Sequence, residues 1–274
     1  MPDNQEFDLF MEHLHFLSLA MAACAAFLAG AINSVAGGGT MVTFPVLLFL
    51  GLPPIVANAT STVAIWPGSL GSIWGFRHEL GRTDPAIRTL VVPSLIGGGL
   101  GAVLLRHTSS ATFEHMVPFL IFFATALFMI QGAVQRRLAS SAGEGARFSG
   151  RKLALALSCQ VLIGIYGGYF GAGVSIVMLS ALGAFGLADI LEMSALTSLF
   201  SLCINGVAVL VFIAAGLVDW PYVLAMALCA VAGGVLAAGV AKRIGRPAVR
   251  RFVIAVGLTM TVVFVLRQWV WHAG

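Results

Sequence analysis

A glycine-rich run interrupts a long apolar stretch of this chain and recurs, in weaker form, in its second half. The first copy reads GAINSVAGGGTMVTFP over residues 30–45, and the second reads GIYGGYFGAGVSIVML over residues 164–179. Glycines free the backbone to leave a helix and let another group approach closely. In a bilayer, unwound backbone is tolerated only where it is buried in protein or lines a watery cavity. Two apolar segments that break at matching places therefore indicate a ligand site between two halves of a membrane protein.

The scarcity of charge sets the class of protein. Hydrophobic residues make up 59% of the chain and charged residues only 9%, whereas a soluble domain carries roughly a quarter charged residues. We therefore predict an all-α polytopic membrane protein. The net charge of +4 comes from basic residues in loops, so we expect the lipid bilayer as a partner and no nucleic acid. The four cysteines lack metal-type spacing, and we expect no cofactor, metal or disulfide framework.

The apolar runs divide into ten segments, five in each half. In the first half they cover residues 14–36, 39–51, 55–76, 86–105 and 112–131. In the second half they cover residues 152–170, 173–186, 192–216, 220–241 and 248–268. The second segment of each half is too short to cross a ~30 Å hydrocarbon core at about 1.5 Å per residue. We expect eight full spans and two short half-helices, and leave open whether the short ones cross or re-enter.

The two halves align beyond the glycine runs, which predicts an internal repeat. Matched residues lie 134 to 137 positions apart, and they include Gly39 with Gly173, Thr60 with Thr197, and Gly97 with Gly233. Asn205 matches Gly68, so the polar residues are not symmetric. The predicted organisation is a first membrane repeat over 14–131, a cytoplasmic linker over 132–151 and a second membrane repeat over 152–268.

The basic loops predict how the repeats are oriented. Arginines and lysines concentrate in 135–152 and 242–251, which should be cytoplasmic. In the first half the basic loop is 77–88, but its counterpart 216–221 carries a single aspartate; conversely 106–115 is poor in basic residues while 242–251 is rich. The charge bias thus swaps sides, which indicates inverted repeats with both chain termini outside. The acidic N-terminal tail does not resemble a cleavable signal peptide.

The half-helices would point free N–H groups and a positive dipole end inward, which suits an anion. Fourteen residues at and after the breaks form the predicted substrate site: Asn33, Ser34, Gly37, Gly38, Gly39, Thr40, Asn58, Thr60, Ser61, Gly171, Gly173, Ser175, Thr197 and Ser198. Glycine and serine also serve as packing contacts in membrane helices. The hydroxyls at 60, 61, 197 and 198 could instead bond back to helix carbonyls, and that alternative stays open.

The acidic residues fall near predicted helix ends or in loops, which argues against a carboxylate proton relay and against a charged side chain as the main anion ligand. The histidines also fall at ends or in loops, so an intramembrane serine protease is not expected and no catalytic residue is predicted. The leading interpretation is a permease for a small anion that works by alternating access. A passive anion channel and a non-transporting scaffold subunit are the alternatives, and a homodimer stays open.

The run AGAINSVAGGGTMVTFPVLLFLGLPPIVANATSTVAI resembles the first-repeat signature of the TauE/SafE sulfite exporter-like family. GGYFGAGVSIVMLSALGAFG followed by MSALTSL resembles its second repeat, with Ala172 where the first repeat has Gly38. The resemblance spans about residues 16–266. It implies a multi-pass permease of the bacterial inner membrane, with a sulfur oxyanion or organosulfonate such as sulfite or sulfoacetate as substrate.

Overall fold

The computed structural model describes residues 4–35, 38–83, 85–140, 150–187, 189–244 and 246–272. Within these ranges the chain is helical and contains no strand, as the sequence predicts. The first half holds α1 (Asn4–Val35), α2 (Thr40–Phe49), α3 (Pro54–Gly75), α4 (Arg77–Arg82), α5 (Pro85–Arg88), α6 (Val91–His107) and α7 (Ser110–Ser140). The second half holds α8 (Arg151–Tyr169), α9 (Val174–Ala184), α10 (Ile190–Ala214), α11 (Trp220–Ile244) and α12 (Arg246–His272).

Several of these helices carry the composition of membrane spans. Among the described residues, four stretches are long and apolar enough to cross a bilayer: Glu12–Asn33, Ser110–Val134, Leu191–Ala214 and Ala248–Leu266. Large apolar side chains face outward along the helices, such as Phe119 at 74% and Leu228 at 77% exposure. A water-exposed surface would not carry so much apolar area, so the fold is that of a polytopic helical membrane protein.

The two short helices α2 and α9 fall where the sequence predicts half-helices. Each follows a glycine with positive φ, Gly38 at 95° and Gly173 at 76°. Only glycine adopts this backbone without strain, so the glycine runs end one helix and allow the next to start in a new direction. The short helices have 10 and 11 residues, about 15 Å each.

Several helix bounds differ from the sequence expectation. The fourth predicted segment, 86–105, is α6 at Val91–His107, so this helix begins five residues later than predicted. The predicted loop 77–88 contains the short helices α4 and α5, the latter starting at Pro85, because proline suits the first helical position. Helix α7 runs nine residues past the predicted end at 131, since the stretch after it is rich in Gln, Ala, Arg and Leu, which favour helix. Helix α1 begins before residue 14. The rest of the predicted linker, residues 141–149, lies outside the described residues.

Two pairs of long helices pack closely against each other through faces that carry glycine. Helix α1 runs parallel to α11, and a Cβ added at Gly30 or Gly233 would overlap a backbone carbonyl of the partner helix. Helix α6 runs parallel to α8 in the same way, with a Cβ at Gly164 only 2.9 Å from the Cα of Gly97. Small residues let membrane helices approach at this distance. The first helix of each half therefore packs along the last helix but one of the other half.

Candidate functional site

The two glycine breaks line one cavity of about 570 Å³. Its walls come from α1, α2 and α3 of the first half, from α9, α10 and α11 of the second, and from Gln131 of α7. Residues of both breaks, Gly38 and Gly171 among them, lie on its surface. A volume of this order is typical of a small-molecule site.

The backbone of the first break is fixed in place by close packing around its glycines and by a hydrogen bond to an asparagine. A Cβ at Gly38 would overlap the ring of Phe128, and a Cβ at Gly39 would lie 2.6 Å from the carbonyl oxygen of Ala29. The Gly39 N–H donates to Oδ1 of Asn33 at 2.7 Å. Asn33 thereby satisfies one of the unpaired donors at the start of α2 and fixes where the helix begins. Helix α2 then presents Thr40 to the cavity.

The second break ends α8 and starts α9 with glycines at positive φ. Gly171 and Gly173 both have φ 76°, and the Tyr166 hydroxyl donates to the Ala172 carbonyl between them at 2.5 Å. The backbone N–H of Val174 donates to Gly171, and those of the next turn donate to Gly173. In the first turn of α9 this leaves the N–H of Ser175 without a carbonyl acceptor among the described residues.

Helix α10 contributes a row of polar side chains to the same cavity: Ser194, Thr197, Ser198, Ser201 and Asn205. The Ser198 hydroxyl donates back to the Ser194 carbonyl at 2.9 Å. The hydroxyl oxygens of Thr197 and Ser201 are buried without a partner among the described residues. Asn205 approaches the second break, since a Cβ at Gly171 would lie 3.7 Å from its Oδ1.

The electrostatics of the cavity come from dipoles. No described residue that lines it is charged, and no group of three metal-ligating side chains occurs in the described part of the chain. The N-terminal ends of α2 and α9 lie at the cavity, and each such end carries partial positive charge. Hydroxyl, amide and backbone N–H donors therefore surround a space that favours an anion without a cationic side chain.

Eight of the fourteen residues predicted from the sequence lie together on the cavity wall: Asn33, Gly38, Thr40, Gly171, Gly173, Ser175, Thr197 and Ser198. Gly39 is buried behind the wall, where it caps α2. Gly37 lies outside the described residues, and nothing is described of the Ser34 side chain.

The remaining three residues, Asn58, Thr60 and Ser61 of α3, are fully buried and do not line the cavity. Asn58 Nδ2 donates to the carbonyl of Tyr169 at 3.1 Å, and its Oδ1 has no partner among the described residues. Ser61 Oγ lies 2.6 Å from the hydroxyl of Thr43. Thr60 Oγ1 accepts the N–H of Asp219 at 3.0 Å. In this conformation, three polar groups of α3 hold helices together.

Some residues that the sequence did not single out for the site do line it, notably Trp66, Gln131, Ser201 and Asn205. Trp66 donates its indole N–H to the Leu202 carbonyl at 3.2 Å, which joins the two halves. A helical periodicity would have found two of them, because Ser201 and Asn205 follow Thr197 at intervals of four. Gln131 has no such signal, since it lies alone near the end of the apolar stretch of α7, Ser110–Val134.

The helical fold, the paired breaks and a cavity of neutral donors define a membrane transporter. Residues 22–264 match the family model described as "Sulfite exporter TauE/SafE", and the chain belongs to that family. It is 26% identical over 258 residues to a "Probable membrane transporter protein" of Haemophilus influenzae, covering 93% of this chain and 97% of that protein.

Other relatives carry similar names. The chain is 28% identical over 272 residues to "Probable membrane transporter protein ORF9" of Sinorhizobium sp, covering 96% of this chain and 100% of that protein. It is 24% identical over 253 residues to "Probable membrane transporter protein YfcA" of Escherichia coli strain K12, covering 89% of this chain and 88% of that protein. No solved structure matches this chain.

Proposed function

We propose that this protein is a permease for a small anion, a sulfur oxyanion or an organosulfonate, which it carries across the bacterial inner membrane by alternating access. The observation that carries the proposal is that both glycine breaks line one shared cavity. The anion is held there near the membrane midplane by the N-terminal ends of α2 and α9. The family consists of multi-pass membrane transporters. The choice of a sulfur-containing anion as substrate rests on the family's description as sulfite exporters.

A backbone donor at the second break, without a carbonyl acceptor among the described residues, supports anion binding at this place. Thr40 and Ser175 lie in the first turns of α2 and α9, and both line the cavity. No carbonyl of the described residues accepts the backbone N–H of Ser175. The residues three and four positions before Thr40 lie outside the described residues. A helix N-terminus with a free N–H group is a ready ligand for an anion.

The packing of the helices supports two inverted repeats. An exchange of halves would map the α1–α11 pair onto the α8–α6 pair, and both pairs are parallel and closely packed through glycines. The same exchange maps α2 onto α9 and α3 onto α10. Two such copies in opposite orientations create one site between them and give the transporter two alternative ways to close.

The position of the cavity supports an inward-facing state. Its walls use the middle and C-terminal parts of α3, α7 and α11, the helices that lead into the basic segments, together with the N-terminal part of α10. These basic segments are cytoplasmic under the positive-inside rule, which places both termini outside.

The opposite side of the breaks is sealed. The rings of Phe44 and Phe170 meet edge to face with centroids 5.3 Å apart, and both are 1% exposed. The buried hydroxyl pair of Thr43 and Ser61 adds to this seal. A site that is accessible from one side and packed shut on the other is what alternating access requires.

Uptake of radiolabelled sulfite and methanesulfonate into proteoliposomes tests the proposal. Ser175→Pro removes the N–H of Ser175, and proline is tolerated in the first turn of a helix, so we expect uptake to fall about tenfold or more while the melting temperature holds. Ser180→Ala on the same helix is the control, because the Ser180 hydroxyl bonds back to the Ile176 carbonyl at 2.7 Å. Normal uptake by Ser175→Pro would place the anion elsewhere.

Counterflow separates the permease from the two alternatives. Proteoliposomes preloaded with unlabelled anion should take up labelled anion transiently above equilibrium if the protein alternates between two states. With the membrane potential held at zero by potassium and valinomycin on both sides, a passive channel shows no such overshoot, and a scaffold subunit gives no uptake at all. Each of those results would replace the proposal with the corresponding alternative.

A further inference from the structure

Helix α10 carries a stripe of polar side chains, two of whose hydroxyl groups have no hydrogen-bond partner among the described residues. Thr197, Ser201 and Asn205 lie four residues apart and so share one face of the helix, and all three line the cavity. Thr197 is only 7% exposed, and its hydroxyl oxygen and that of Ser201 have no partner among the described residues. Buried polar groups in native proteins are nearly always hydrogen-bonded, so these groups indicate a bound partner.

The repeat architecture does not require this stripe. The positions in α3 that match Ser201 and Asn205 are Ala64 and Gly68, which carry no polar side chain. Thr60 matches Thr197, but its hydroxyl is fully buried and accepts the backbone N–H of Asp219. The stripe is therefore specific to one repeat, and packing or symmetry alone does not explain it.

The absence of charged side chains from the described cavity wall limits the charge of a bound anion. The described residues that line the cavity are all neutral. Arg250 packs against Gly132, next to the lining residue Gln131, but does not itself line the cavity. The desolvation cost of an ion grows with the square of its charge, whereas its attraction to fixed dipoles grows only in proportion to the charge. A wall of dipoles and hydroxyls thus tolerates one negative charge far better than two.

We propose that Thr197, Ser201 and Asn205 are the side chains that contact the substrate and that they restrict it to singly charged oxyanions. Simple alkanesulfonates, such as methanesulfonate, and hydrogen sulfite meet this condition, while sulfate, doubly charged sulfite and sulfoacetate, which adds a carboxylate to its sulfonate, do not. The hydroxyls and the Asn205 amide N–H groups donate to the anionic oxygens. Oδ1 of Asn205 accepts from the hydroxyl of a protonated oxyanion. This selectivity rests on the proposed permease function.

Methylphosphonate tests the charge rule, because it has nearly the shape of methanesulfonate but carries one charge in an acidic buffer and two in an alkaline one. Uptake into proteoliposomes is measured for both compounds and for sulfate, in both buffers. Methanesulfonate keeps one charge throughout and reports any effect of pH on the protein. We expect methylphosphonate to compete with methanesulfonate for uptake in the acidic buffer. In the alkaline buffer its affinity should fall at least about tenfold. Sulfate should compete in neither buffer.

Substitutions test the residues. Thr197→Val, Ser201→Ala and Asn205→Leu should each raise the KM for methanesulfonate about tenfold to a hundredfold, the range for one hydrogen bond to a charged group. Thr261→Val is the matched control, because the Thr261 hydroxyl bonds back to the Gly257 carbonyl of α12 at 2.8 Å. Asn205→Lys should admit sulfate by adding a positive charge to the wall.

The outcomes separate the inference from the function on which it rests. If no anion is transported by the wild-type protein, the permease function and this selectivity both fail. If sulfate and alkaline methylphosphonate are carried as well as methanesulfonate, the permease function stands and the charge rule is wrong. If the α10 variants keep a normal KM while the melting temperatures are unchanged, the stripe does not contact the substrate.

Discussion

The buried polar residues of α3 should line the transport pathway in the other state of the cycle. If the repeats are inverted copies, outward opening gives α3 the role that α10 has in the present cavity. Ala57 of α3 matches Ser194 of α10, which lines the cavity, yet Ala57 is 0% exposed. Ala57 should therefore become accessible from outside when the protein opens outward.

Loss of one hydrogen bond should shift the balance toward that state. Thr60→Val removes the hydroxyl that accepts the Asp219 N–H at 3.0 Å in a partly buried place. A buried donor left unpaired costs about 1–3 kcal/mol, and that penalty applies only to the state that makes the bond. The ratio of outward-open to inward-open molecules should therefore rise about fivefold to 150-fold.

Thiol labelling measures this shift. Cysteine is placed at Ala57 or at Ser194 in a chain whose four native cysteines are replaced, and a membrane-impermeant maleimide is added from either side of oriented vesicles. We expect Thr60→Val to speed labelling of Ala57→Cys from outside and to slow labelling of Ser194→Cys from the cytoplasmic side. Gln160→Leu is the control, because it breaks a buried bond to Ser94 at 2.7 Å between helices away from the seal.

Two results would refute the reasoning. Labelling of positions 57 and 194 from the same side would contradict inverted repeats. Unchanged labelling of both positions in Thr60→Val, with transport active, would show that the bond to Asp219 persists in both states or that α3 never opens.

Three further predictions concern the fold. Gly164→Val should lower the melting temperature in detergent sharply, since its side chain would meet the backbone of α6, while Gly71→Ala, with open space around it, should leave it unchanged. Gly38→Ala should nearly abolish uptake, and Phe128→Ala in the same chain should restore part of it by removing the ring that the new Cβ meets; full activity of the single variant would contradict the packing. Arg251→Cys, at an exposed position of α12, should be labelled only from the cytoplasm, and labelling from outside would reverse the topology.

The sequence predicted the features that depend on local chemistry. The apolar runs located the main helices, and the glycines located the breaks, because a positive φ at positions such as Gly38 and Gly173 requires that residue. The same glycine runs led to the cavity wall. The extension of α7 past residue 131 was missed because a helix can continue into polar sequence wherever helix-forming residues follow.

The different positions of the matching polar residues of α3 and α10 could not be predicted in the same way. Thr60 with Ser61 and Thr197 with Ser198 are matching pairs, so pattern alone assigns both pairs one role. In the structure one pair is sealed between helices and the other lines the cavity, a difference that belongs to the conformation and not to the residue types. The pair that faces the substrate must change when an inverted-repeat protein opens to the other side, while the sequence stays the same. For such a protein, a list of site residues drawn from both repeats covers both states of the transport cycle. A single structure shows which of these residues line the cavity in one state and which are buried between helices until the protein opens to the other side.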